Sequence, residues 1–208
     1  MRKLCFLIAV GCAFGCGAFA QEELSQMDIF VGYSLLRVNM ANQVPTFNAN
    51  GGVGTLAWNI NNHIGIEAEF AAHYSGNVND YHLDSTTFTY LFGPRLSYGR
   101  TKRFDPYVHA LFGGGNDRIS VAANSALIPA PVPVPSSGRY KATQNGFAMA
   151  IGGGIDIKIS KHVLLRPAQL DYVYTRFETP AFLGPSSANQ NNFRFAVGVA
   201  FNVEDELP

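Results

Sequence analysis

The stretch Asn192–Asn202, NFRFAVGVAFN, constrains the fold most, because a large apolar side chain recurs at every second position. Phe193, Phe195, Val197, Val199 and Phe201 alternate with Arg194, Ala196, Gly198, Ala200 and Asn202. A helix would scatter the first set around its circumference. An extended strand puts it all on one face and leaves the small and polar set on the other. In a soluble sandwich the apolar face would pack on a second sheet. In a membrane barrel it would face lipid, with the small and polar face inside.

The same two-residue period marks seven further segments, read here as Met27–Asn39, Gly51–Ile60, His63–Ser75, Thr86–Tyr98, Pro106–Asn116, Gly146–Ile159 and Val163–Phe177. In the third, Ile64, Ile66, Ala68, Phe70, Ala72 and Tyr74 oppose Gly65, Glu67, Glu69, Ala71 and His73. In the seventh, Gln169, Asp171 and Thr175 oppose Leu170, Tyr172 and Tyr174, and Arg166 and Arg176 fall on the apolar face at its two ends. An arginine there can extend its charge to a membrane interface. Connections after the first, third, fifth and seventh segments are long, and those after the second, fourth and sixth are short. The longest, 117–145, contains IPAPVPVPSSG, whose four prolines lack the N–H groups a central strand needs.

Composition separates the two readings. Charged residues make up 14% of the 208-residue chain, against about 25% in soluble domains. A sandwich needs polar outer faces, and here the polar face is the narrow one. Residues 1–20 read as a signal peptide: Arg2 and Lys3, then an apolar core, then Ala18-Phe19-Ala20 as a cleavage site. Cleavage would remove Cys5, Cys12 and Cys16, all three cysteines, and leave thirteen basic residues against fifteen acidic. Lipidation at Cys12 is the competing fate of that segment. The near balance of charge gives no footprint for nucleic acid. No run of about 18 apolar residues follows residue 20, so spanning must be by a closed barrel.

The expectation is therefore an all-β, eight-stranded antiparallel up-and-down transmembrane barrel within 27–203, with a short acidic tail, Glu204–Pro208. Short turns on one side and long loops on the other suit an outer-membrane barrel whose termini lie in the periplasm. Trp58 and Tyr98 fall at the turn end of the apolar face, and Tyr74, Phe88 and Tyr174 at the loop end, as interfacial girdles do. Eight strands enclose little more than their own side chains, so no wide pore is expected. The signal segment and the strands PYVHALFGGG, LRPAQLDYVYTRF and NFRFAVGVAF resemble the OmpA-like outer-membrane barrel family, over its barrel domain alone. That resemblance implies a monomer in outer-membrane lipid, assembled by the barrel-assembly machinery, holding no cofactor and presenting loops to an extracellular partner. It carries no cell-wall anchoring.

Inward charges are the main site candidates: Glu67, Glu69, Asp156 and Asp171 against Arg95, Lys158 and Arg194. If the third and fourth strands form a hairpin, Glu67 falls nearly opposite Arg95. Buried charges must pair, so the reading is a lumen network that plugs the barrel, with a gated ion path as its functional competitor. Loop residues His73, Asp80, His82 and Asp84 have no compact metal-binding spacing. Two other functions compete. One is a lipid A-modifying enzyme, for which His73-Tyr74-Ser75 has suitable letters but an inward register. The other is a soluble exported lipocalin-like barrel, which would need an apolar lumen.

Overall fold

A computed structural model describes residues 27–39, 46–76, 78, 82–98, 100, 102–125, 128, 133, 135–178 and 187–203. The N-terminal segment read as a signal peptide, with its cysteines, and Asp80, residues 179–186 and the acidic tail lie outside the described residues. Eight strands form one closed barrel in sequence order: β1 Met27–Val38, β2 Phe47–Asn59, β3 Ile64–Ser75, β4 Leu83–Ser97, β5 Phe104–Ala122, β6 Arg139–Lys158, β7 Val163–Glu178 and β8 Ser187–Val203. Every neighbouring pair is antiparallel, and β1 meets β8 from Met27↔Val203 to Arg37↔Phe193. Closure leaves no unpaired sheet edge, which is the condition for a sheet in hydrocarbon. Among the described residues no helix is long and apolar enough to cross a membrane.

The turns follow from local chemistry. Between β2 and β3, the Asn61 side-chain oxygen accepts from the N–H groups of His63 and Ile64, both at 2.8 Å. Such an Asx arrangement fixes a tight turn. At the β1–β8 seam, a Cβ on Gly32 would lie 2.5 Å from the Val197 carbonyl oxygen and 2.5 Å from the Phe30 ring. Glycine there lets the Phe30 ring lie flat inside the lumen.

The outward face is apolar from Trp58, Ile64, Tyr98 and Phe104 at the turn end to Tyr33, Tyr74, Phe88, Phe147 and Phe193 at the loop end. The strands do not stop there. β5 and β6 pair on to Ala122↔Arg139, so both ends of the 117–145 segment expected to be irregular are strand. The prolines sit between them, beyond the last pair, and that is why they interrupt nothing. Likewise β2 starts at Phe47, β4 at Leu83 and β8 at Ser187, each earlier than the apolar alternation suggested. In these extensions the pattern reverses. Asn116, Arg118 and Ser120 point outward, while Ile119 and Val121 are buried inside with Leu83, Phe47, Val38 and Val78.

Strand β7 carries one residue more than its neighbours between Arg166 and Gln169, where Leu165 pairs with Ile157 and Ala168 with Ile155. This bulge contains Pro167, which has no ladder hydrogen to lose. A one-residue insertion moves every side chain on one side of it to the opposite face. Arg166, expected on the lipid face, is consequently fully buried in the lumen. Arg176, on the other side of the bulge, is exposed and faces outward as expected.

Candidate functional site

The lower lumen is filled by ionised side chains rather than by a hydrocarbon core. Alternation sends Glu67 and Glu69 of β3, Arg95 of β4, Tyr107 and His109 of β5, Asp156 of β6, Asp171 of β7 and Arg194 of β8 to the same interior. The bulge adds Arg166 and Gln169. Arg95, Arg166 and Arg194 are each at most 2% exposed.

Two arginine clusters share the carboxylates. Arg194 holds Glu69 through Nη1 and Nη2, both at 2.6 Å, and Asp171 Oδ2 through Nε at 2.9 Å and Nη2 at 2.6 Å. Arg166 grips both oxygens of Asp156, at 2.7 and 3.0 Å, and donates to Gln169 Oε1 at 2.8 Å. Arg95 joins Asp156 at 2.8 Å and Glu67 at 3.4 Å. The flat guanidinium suits these forked contacts better than an ammonium would. Their faces are also used: Arg95 lies 3.9 Å from the Tyr107 ring centroid, and Arg166 lies 3.9 Å from that of Phe30.

His109 joins the two halves. Its Nδ1 faces Glu67 Oε1 at 3.1 Å and its Nε2 faces Asp171 Oδ1 at 2.9 Å. A ring donating from both nitrogens satisfies both carboxylates. It then brings the central network to four cations, with Arg95, Arg166 and Arg194, against the four anions Glu67, Glu69, Asp156 and Asp171. Gln169 completes the shell by donating to Asp171 Oδ2 at 2.9 Å and accepting from the Tyr107 hydroxyl at 2.8 Å.

Of the seven residues singled out from sequence, six meet in this network and Lys158 does not. Lys158 has the inward parity but lies at the exposed turn end of β6, where its N–H donates to the Arg103 carbonyl at 2.8 Å. The expected Glu67–Arg95 register is also shifted. Gly65 pairs with Arg95 and Glu67 pairs with Gly93, so the ion pair runs diagonally across the sheet. Sequence reading missed His109, Tyr107 and Arg166. The parity of His109 opposite Val108 and Ala110 was the available signal for the first; nothing short of locating the bulge would have found Arg166.

Above the network the lumen turns apolar. Between the two zones His73 Nε2 lies 2.8 Å from Ser34 Oγ, both buried. A hollow of about 10 Å³ borders His73, Thr89, Asn192 and Arg194, the scale of one water molecule. Ser75 follows His73 with the same inward parity, and the hydroxyl His73 meets is that of Ser34. His82 is exposed with a left-handed φ of 51°, and Asp84 points outward to Arg139. His73, His82 and Asp84, the described members of the set weighed as metal ligands, are thus divided between the inside and outside of the wall. Among the described residues no group of three or more His, Cys, Asp or Glu side chains is placed to hold a metal ion.

Comparison with known proteins agrees with this architecture. The fold is similar to that of Ail, the attachment invasion locus protein of Yersinia pestis, at a TM-score of 0.54 and 15% identity, covering 84% of this chain and 96% of that one. It is similar also to Neisserial surface protein A (NspA), at a TM-score of 0.58 and 9% identity, covering 86% of this chain and 97% of that one. At such identities the likeness is one of fold. A segment of 91 residues is 34% identical to the alpha-ketoglutarate-dependent xanthine dioxygenase xan-1 of Neurospora crassa, but the chain spans only 22% of that protein's length, and no activity follows. Residues 6–201 match the family described as outer membrane protein beta-barrel domain. The chain, an eight-stranded transmembrane barrel with a charge-filled lumen, belongs to the outer-membrane protein β-barrel family.

Proposed function

We propose that this barrel is a monomeric, non-conducting anchor of the outer membrane that displays the β5–β6 hairpin and the neighbouring loops at the cell surface. The observation that supports this reading is the filled lumen. Three buried arginines and their carboxylates cross-link β3 to β8 through the interior, and the apolar zone above them closes the loop end. An ion would have to break several of these contacts to pass, each of which is costly to leave unmade away from water. The hairpin then continues past the aromatic belt with a polar exterior, as a displayed element should.

Lysines make the test direct. Lys141 lies on the outward face of the hairpin, while Lys102, Lys158 and Lys161 lie at the turn end. A membrane-impermeant amine reagent applied to intact cells should label the wild type and leave Lys141→Arg unlabelled. Labelling of Lys141→Arg on intact cells would reverse the orientation. In planar bilayers the purified barrel should carry no steady current; a stable open level would replace the anchor reading with the gated path.

A further inference from the structure

The lipid-facing wall has one feature that neither closure nor the lumen network requires. On β1–β4 the outward side chains leave a hollow of about 530 Å³, floored by Gly52, Gly54 and Ala72 and walled by Val31, Phe70 and Phe88. It is far larger than a water site and has the scale of a single acyl chain. Its glycines differ from those elsewhere in the strands. A Cβ on Gly113, Gly153 or Gly198 would sit within 2.2 Å of a backbone oxygen, so those positions exclude a side chain. A Cβ on Gly52 or Gly54 meets only ordinary contacts, at 3.7 and 3.6 Å. Backbone packing does not call for glycine at either place, and strands disfavour it. What the two glycines do is keep the hollow open.

The loop-end rim of the hollow is cationic. The Arg118 guanidinium lies 5.6 Å from the ring centroid of Phe88, a wall residue, and its Nε donates to Asn116 at 3.3 Å. Farther up β1, Arg37 donates to Asn48 at 3.0 Å. Both are exposed, and neither forms an ion pair with a described residue, whereas Arg139 nearby is engaged by Asp84. We infer that this hollow and its rim hold a phosphorylated, acylated lipid of the outer leaflet, of the lipid A class, with one acyl chain over Gly52 and Gly54 and a phosphate at Arg118. Guanidinium groups match phosphate in geometry as well as charge. A second copy of the chain is the less suitable occupant. A two-fold dimer in a membrane keeps both rims at one height, and so would bring Arg37 and Arg118 toward their own copies.

The inference rests on the loop end facing the outer leaflet, but its test does not. Purified full-length barrel in detergent is mixed with diphosphorylated lipid A, the same lipid with its phosphates removed, and phosphatidylethanolamine, and bound lipid is read by native mass spectrometry. Wild type should retain one diphosphorylated lipid A, about fivefold more than the dephosphorylated form. Gly52→Val/Gly54→Val should lose this retention while still migrating faster unboiled than boiled on a gel, the behaviour expected of a closed barrel. Arg118→Gln should weaken it about fivefold, and Arg118→Lys should restore part of it. The arginine variants carry the test if the double valine variant does not fold. Equal retention of both lipid A forms, or undiminished retention by the filled variant, would overturn the assignment. So would a wild-type dimer that the valines convert to monomer, because the occupant would then be a second copy.

Discussion

Two zones of one interior, stacked along the barrel axis, are built on opposite principles. The lower lumen holds Glu67, Glu69, Asp156 and Asp171 with three arginines and His109, and the wall around it is apolar on the outside. The upper lumen holds Leu83, Ile119, Val121, Phe47 and Val38, and the wall around it is polar on the outside. Strand β5 runs through both and changes sides without a change of register. Tyr107 and His109 point in where Val108 and Phe112 point to lipid; Ile119 and Val121 point in where Arg118 and Ser120 point to water. The solvent outside dictates the difference. Within the bilayer, lipid takes the apolar face and the polar face has to satisfy itself. Beyond the bilayer, water takes the polar face and the apolar face needs a core.

If that comparison holds, cutting the ionic zone should cost the whole barrel its stability. Among the described residues, Arg194 supplies every side-chain hydrogen bond to Glu69 and two of those to Asp171. Arg194→Met should therefore strand a buried carboxylate and lower the unfolding free energy by about 3–5 kcal/mol, read as the urea midpoint in lipid vesicles. Arg95→Ala should cost less, about 2 kcal/mol, because Glu67 keeps His109 and Asp156 keeps Arg166. Equal losses would mean that the network does not share its load as the distances indicate.

The outer wall gives the next effect. Ile151 is half exposed on the apolar band of β6. Ile151→Lys should cost about 2–4 kcal/mol by the same measurement, the penalty of a lysine at mid-bilayer depth. Leu83→Ala tests the upper zone instead. It should cost about 2–3 kcal/mol locally, through the lost burial and the cavity left behind. The loss should appear as faster amide exchange in residues 118–122 and 139–143, with the urea midpoint of the barrel little changed. A matching fall in that midpoint would show that the two zones unfold as one.

The barrel itself was legible from the chain because a two-residue period over eight segments admits few other solutions. Strand lengths were less so. The alternation that reveals a membrane strand is apolar-out, and it ends at the bilayer surface, so the extension of β5 to Ala122 and β6 from Arg139 was hidden by its own inversion. In the network, Glu67, Glu69, Arg95, Asp156, Asp171 and Arg194 were legible by parity alone. Lys158 shows the limit of parity, which gives a face but not a depth. Arg166 shows a second limit: counting by twos fails across a bulge, and Pro167 marks one only to a reader who already expects an unbroken strand there. The pairing of His109 with two carboxylates depends on the approach of β3 and β7 across the lumen, a non-local fact that no local pattern contains.

The smallest expected effect locates the boundary between the two zones. Thr143 points outward on β6, opposite Arg118 and eight residues from Ile151 along the same face. By its neighbours Asn145, Asn116 and Arg118 it already stands in water. Thr143→Lys should therefore change stability by no more than about 0.5 kcal/mol, as surface substitutions do. Lysine placed in turn at 145, 147 and 149 should then show where the cost begins. Phe147 is the first aromatic below the polar residues of this strand, so the rise should fall between 145 and 147. A penalty already present at Thr143 would put the hairpin inside the bilayer. The apolar cluster around Leu83 and Val121 would then need an explanation other than water outside the wall.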